Sequence, residues 1–239
     1  MGFCNYEFLL NLVSYSYYEV YTNAQRAFSG LGFPYGSDED AAYIITWLEV
    51  CGLDGINLLD AKISELDNSF DVNIDPSKIK IDFDCENKSM LVIGPGLIDY
   101  LISKLNSSER FSLLLKNCND PIFLVPLLYK YLRKKINSQL INSKREIVAS
   151  LSKNIISLQK KISTKDILSN YNLLITNKEI NQEFLDININ TEEIDKSLSK
   201  GLNPNEKSWD QISEIAFRTF VPESEESRLK GAGGGDAND

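Results

Sequence analysis

The side chains best suited to chemistry in this chain gather in "FRTFVPESEESRLKGAGGGDAND", its last stretch. Arg218 and Arg228 carry planar guanidinium forks that match a carboxylate or phosphate with two parallel hydrogen bonds. Ser224 and Ser227 add hydroxyls. Gly231 and Gly233, with the two glycines that follow, let backbone approach a ligand closely or adopt positive φ. Asp236, Asn238 and Asp239 bring oxygens of the kind a hard cation accepts, although no metal site is assigned to them. The predicted ligand is therefore a small anion, held by the two arginines under a glycine-rich cover. Composition alone also allows a plainer reading, because glycine is costly to order and loose chain concentrates at termini. On that reading, 228–239 is a tail.

Two further glycine-rich places invite an anion. "SMLVIGPGLIDYL" reads as strand, turn and helix, the order that aims backbone N–H groups and a helix dipole at a phosphate. It departs from the dinucleotide fingerprint, since Gly94 and Gly96 are followed by Asp99, not glycine. An ordinary tight turn is the preferred reading, with Asp99 kept as a candidate ligand contact. "GLGFPYGSDED" sets Gly30, Gly32 and Gly36 before a helix start. Asp38, Glu39 and Asp40 crowd that start, as helix stability alone favours.

The chain has no histidine. That removes the commonest neutral-pH base, the usual nucleophile pairs and the usual zinc ligand sets. Any proton transfer falls to carboxylates, lysine, tyrosine or a cofactor, whose identity the sequence leaves unknown. A formal net charge of −9 is the wrong sign for binding nucleic acid through its phosphates. No apolar run reaches the length of a membrane span. The four cysteines contain no CxxC pair and read as buried or incidental thiols of a reducing compartment. The start, "MGFCNYEFLLNLV", lacks a basic residue and a small-residue cleavage site, so the expected location is cytoplasmic.

The elements that must position these residues follow from periodicity. Tyr17, Val20, Tyr21, Ala24 and Phe28 share one helical face. A glycine-rich turn then leads to a second helix, with Ser37 as its expected N-cap, running past Trp47 to Gly52. "FDVNID", "KIKIDF" and "SMLVIG" read as short strands, and a helix is expected to open near Leu97. "FSLLL" and "YNLLIT" read as strands. "NDPIFLVPLLYKYLRKK" reads as a helix capped by Asp120 that kinks or restarts at Pro126. "REIVASLSKNIISLQ" is either a hairpin turning at Lys153-Asn154 or an amphipathic helix, and its β-branched residues favour the hairpin. "TEEIDKSLSKG" and "EKSWDQISEIAF" close the fold as helices. Helical ends around a mostly antiparallel middle predict one α+β domain over 1–239, with a helical subregion at 14–60.

Gly30, Gly32, Pro34, Gly36, Gly94, Pro95, Asp99, Val221, Pro222, Ser224, Ser227, Arg228 and Gly231 together resemble the pattern of an uncharacterised alphaproteobacterial family, known only as a domain of unknown function. The resemblance implies that the C-terminal glycine segment is a family feature, and it carries no catalytic residue with it. The N-terminal helix pair is also similar to that of the malate/L-lactate dehydrogenase family, which uses a histidine soon after this pair. The expected function is binding of a small anionic metabolite or cofactor. The alternatives are an oxidoreductase-related enzyme working through carboxylate or tyrosine acid–base chemistry, and a subunit that docks on a partner, a homo-oligomer included.

Overall fold

The computed structural model describes residues 14–107, 110–159, 168, 171–180 and 185–220. Helix α1, Tyr17–Gly30, begins at a capping box: Ser16 Oγ accepts from the Glu19 amide at 3.2 Å and Glu19 accepts from the Ser16 amide at 2.7 Å. It buries Val20, Ala24, Ala27 and Phe28, the face its spacing predicts. Helix α2, Ser37–Val50, follows the glycine turn. Its N-cap is Gly36, not Ser37, because the chain enters the helix at φ 88, a value glycine reaches without strain. Trp47 is buried, its ring 5.1 Å from that of Tyr129. Two short helices complete the first region, α3 at Gly55–Asp60 and α4 at Ile63–Leu66.

The middle differs from expectation in two places. Residues 70–75 form no strand despite their alternation, and only Asp82–Asp84 of the neighbouring segment does, as β1. Period-two alternation makes a strand only where another edge offers hydrogen bonds. Here the chain instead turns, with the Asp75 side chain capping a 3-10 turn at Pro76–Lys78. "SMLVIG" is helical. Helix α5 runs Met90–Ser107 and carries both glycines and Pro95 inside it. Met90, Leu91, Val92 and Ile93 are all buried, so this turn of helix meets core on every side and shows no alternation to read. Gly94 permits the approach of Leu124, whose methyl would stand 3.3 Å from an added Cβ.

Strand β2, Ser112–Cys118, leads to a 3-10 turn at Pro121–Leu124 and to α6 at Val125–Leu132. Pro126 lies in the first turn of α6, where no amide is required, so the expected restart occurs there. Strands β3 Asn137–Ile141, β4 Ile147–Ser152, β5 Ile155–Leu158, β6 Tyr171–Thr176 and β7 Ile187–Ile189 complete the sheet. The β4–β5 link is the two-residue hairpin expected, with Lys153 and Asn154 both at positive φ. The strand order is β1-β2-β6-β3-β4-β5-β7, parallel between β1 and β2 and antiparallel elsewhere. Helices α7, Thr191–Lys200, and α8, Glu206–Phe217, end the described chain. Helix α8 returns to α1, where a Cβ on Gly30 would collide with the Ile215 carbonyl oxygen. One connected set of buried side chains reaches from Val20 to Ala216, and the architecture is α+β.

Candidate functional site

The start of α5 meets a wholly buried carboxylate, that of Asp120. Asp120 precedes Pro121 in the left-handed region, φ 50, a conformation aspartate tolerates better than most residues. That backbone turns its carboxylate away from its own helix, where the sequence places it as a cap. Its Oδ1 instead accepts from the Met90 amide at 2.8 Å and the Ser89 hydroxyl at 3.1 Å. Asp120 therefore caps α5 from 31 residues away. The Ser89 Oγ also accepts from the Leu91 amide at 3.2 Å.

Lys62, at the junction of α3 and α4, is 5% exposed and brings the balancing charge. Its Nζ lies 3.0 Å from Asp120 Oδ2. Oδ2 nevertheless receives no bond in hydrogen-bonding geometry, since the lysine is turned to Glu65. The ionic attraction depends on distance and stands regardless. Glu65 also accepts from the Asn119 side-chain Nδ2. The result is one chain of contacts, Asn119–Glu65–Lys62–Asp120–Ser89, that ties α4, the end of β2 and the start of α5.

This chain faces a cavity of about 190 Å³, whose wall includes Glu65, Ser69, Asp71, Lys88 and Ser89. Lys88 pairs with Asp71 at 3.2 Å and donates to the Asn73 carbonyl at 2.7 Å. It also borders a second cavity of about 300 Å³, with Asp75, Lys78, Asp84 and Cys85 on its wall.

Complete burial pushes the Asp120 carboxyl up to about 7, because removal from water penalises the anion. Lys62, the Met90 amide and the Ser89 hydroxyl all favour the anion, and burial outweighs them. A carboxyl that changes charge near neutral pH does what histidine does elsewhere. Ser89 stands between it and the cavity, and Lys62–Glu65 makes a second polar route outward.

Of the residues singled out from sequence as ligand contacts, the two that are described, Asp99 and Arg218, are not brought to this place. Asp99 lies nine positions into α5 from Met90, roughly 13.5 Å along the axis. It is exposed, beside a cavity of about 140 Å³ shared with Asp40, Leu127 and Tyr131. Burial raises the half-buried Asp40 carboxyl there; Lys130 opposes, and the Asp99 and Glu39 charges add to the rise. Lys130 sits 4.1 Å from the ring centre of Tyr43 and 4.8 Å from that of Tyr131. Arg218, at the end of α8, donates from the single nitrogen Nη1 to both carboxylate oxygens of Asp67, each at 3.0 Å. Ser224, Ser227, Arg228, Gly231 and Gly233 lie outside the described residues.

Both glycine-flanked helix starts are filled from within. At α2, Asp38 Oδ1 accepts from the Gly36 and Glu39 amides at 2.9 Å each, and Oδ2 from Ser29 Oγ at 2.8 Å. Gly94 and Gly96 lie inside α5, whose first amides go to Asp120 and Ser89. Neither start fits the pyrophosphate of a dinucleotide. Among the described residues, no three Cys, Asp or Glu side chains are placed to hold a metal ion. No helix among them is long and apolar enough to cross a membrane.

Lys62, Ser89 and Asp120 were not legible as a site. Asp120 carries a sufficient cap reading in "NDP", and the only sign of Lys62 is a charge set among the apolar positions of "INLLDAKISEL".

Residues 15–89 match a family model described as "Protein of unknown function (DUF3726)", a span holding the Gly30–Gly36 turn, Lys62 and Ser89 but not Asp120. No curated protein matches the chain in sequence. Among solved structures it is similar to malate dehydrogenase from Pyrococcus horikoshii OT3, with a TM-score of 0.57 at 12% identity over 93% of this chain and 99% of that one. It is also similar to a dehydrogenase from Sinorhizobium meliloti, with a TM-score of 0.56 at 9% identity over 85% of this chain and 99% of that one. At these identities the likeness is one of fold.

Proposed function

We propose that the chain is an enzyme moving a proton on a small polar molecule, with Asp120 as its acid–base group. The observation that carries this is a fully buried carboxyl, one oxygen without a donor in hydrogen-bonding geometry and the other joined through Ser89 to a cavity. Substrate in the cavity exchanges a proton with Ser89 Oγ, which exchanges one with Asp120 Oδ1. Lys62 favours the carboxylate form that accepts the proton, and handing that proton back through Ser89 restores the site. The cavity wall carries Glu65 and Asp71 against Lys88, which Asp71 already pairs. A neutral or amine-bearing substrate suits this wall better than a dianion such as malate. A proton moved from one atom of the substrate to another, as in an isomerisation, needs no oxidant and returns Asp120 to its starting form. No hydride step is derived, because the two helix starts do not fit a dinucleotide.

The test is a thermal-shift and turnover screen of hydroxy, oxo and amino compounds with and without nicotinamide nucleotides, on the native chain and on Asp120→Asn. The expected result is turnover that follows an ionisation near neutrality and disappears in the variant with binding retained. An Asp120 carboxyl that NMR finds titrating in the ordinary carboxylate range, about 4, would defeat the reading.

A second reading places a carboxylate ligand on Arg218 and, from the neighbouring segment, Arg228. What favours it is the contact with Asp67, in which Arg218 Nη1 already meets a carboxylate. A carboxylate ligand has to displace Asp67, so Asp67→Asn should tighten its binding and Arg218→Lys should weaken it, both readable by calorimetry.

A further inference from the structure

Cys85 and Cys118 meet across the parallel β1–β2 junction. Their sulfurs are 3.4 Å apart in an S–H···S contact, and both side chains are buried. Backbone bonds brace them on either side: Cys85 N–H donates to the Lys116 carbonyl at 2.9 Å and Asn87 N–H to the Asn117 carbonyl at 3.0 Å. The β2–β6 ladder shifts register between Leu115 and Cys118, a stretch that holds Asn117 at φ 49. Cys85 also lies on the wall of the cavity of about 300 Å³. Two thiols in contact, one of them bordering a cavity, form a pair that sequence spacing hides, since they stand 33 positions apart.

We infer that Cys85 and Cys118 form a reversible dithiol–disulfide site, oxidised by a small peroxide that enters through the cavity beside Cys85. Cys85 sulfur attacks one peroxide oxygen; the S–O bond forms, the O–O bond breaks, and the thiol proton leaves with the departing oxygen as water or alcohol. Cys118 sulfur then attacks Cys85 sulfur; the S–S bond forms, the S–O bond breaks, and the released hydroxide takes the Cys118 proton as water. The two thiols are oxidised by two electrons and the peroxide is reduced by two. Contact with Cys85, followed by burial, holds the Cys118 thiol well above its ordinary range, consistent with Cys118 keeping its proton until that second step. The order assigns Cys85 as the peroxidised sulfur and Cys118 as the resolving one. The inference is independent of the acid–base reading, although the disulfide would join the segments carrying Ser89 and Asp120.

The experiment exposes the native full-length chain to hydrogen peroxide, blocks remaining thiols with an alkylating agent and maps peptides without reduction. The expected result is a Cys85–Cys118 cross-linked peptide, two hydrogens lighter than its parts and restored by dithiothreitol, while Cys51 stays alkylated. The cross-link closes a long loop, so it should raise the melting midpoint by roughly 5–15 °C. In Cys118→Ser the sulfenic acid persists on Cys85 and is trapped by dimedone. Recovery of both peptides as alkylated thiols, under peroxide that oxidises the urea-unfolded chain, overturns the inference. So does pairing of Cys85 with any other cysteine, or oxidation confined to Cys51.

Discussion

Helix α5 carries two carboxylate clusters, and they differ in what surrounds the acid. At its start Asp120 is fully buried, with one lysine, one amide and one hydroxyl around it. Further along, Asp40 and Asp99 share a cavity wall, and the exposed Lys130, whose charge reaches Asp40, lies against two tyrosine rings. Like charges help to raise Asp40, and water moderates all of these interactions. Only at Asp120 does burial overcome a direct ion pair. A carboxyl becomes a neutral-pH acid through the removal of water, more than through the company of other acids.

The sharpest way to break this comparison is to remove the lysine. Lys62→Met leaves a buried carboxylate without its counter-charge, a loss of about 3–5 kcal/mol. The loss should be large near pH ~8 and much smaller near pH ~5, where Asp120 takes up a proton instead. Urea unfolding at the two pH values reads the difference. Equal losses at both would mean that Asp120 does not change charge in between.

Asp120→Asn tests the same group through the slope of stability against pH. The folded carboxyl titrates at about 7, above the unfolded value of about 3.9. Its stabilising contribution is therefore complete below about pH 4 and is lost as pH rises toward 7, by at most about 1.4 kcal/mol per pH unit. The amide variant should flatten that falling limb in urea midpoints measured across the window. A slope that survives the substitution belongs to another residue.

Much of the scaffold around these clusters is legible in the sequence, because local rules set it. The α1 stripe, the hairpin at Lys153-Asn154 and the restart at Pro126 each depend on residues within a few positions of one another. The start of α5 does not. Its first cap comes from Asp120, and its surroundings leave no polar face to mark a period. The same non-local contacts that hide the helix start also build the candidate site. Asp40 and Asp99 stand out as acids near predicted helices, whereas Asp120 and Lys62 acquire their meaning only once distant segments meet.

Arg218 is a milder test, of whether an arginine legible in sequence matters to the fold. Its pair with Asp67 joins α8 to the end of α4, but the guanidinium is 44% exposed. An exposed ion pair contributes about 0.2–1 kcal/mol. Arg218→Lys should cost less than this, keep the fold and leave the pH dependence assigned to Asp120 unchanged. A destabilisation comparable to that of Lys62→Met would transfer the structural weight to the α4–α8 contact.

The smallest effect sharpens the comparison most directly. In Asp99→Asn one like charge disappears from the neighbourhood of Asp40, while burial and Lys130 remain. A unit charge several ångströms away through water is worth on the order of 0.5 kcal/mol, or ~0.4 of a pH unit. The Asp40 carboxyl should fall by that amount in a carbon-detected NMR titration. Added salt should shrink the change, since screening acts on the partner that has been removed. The Asp120 carboxyl should not move, being held at Met90, roughly 13.5 Å of helix from Asp99, and enclosed by protein. A shift of Asp120 in this variant would couple the two clusters through α5, and would make Asp99 part of the site that it does not touch.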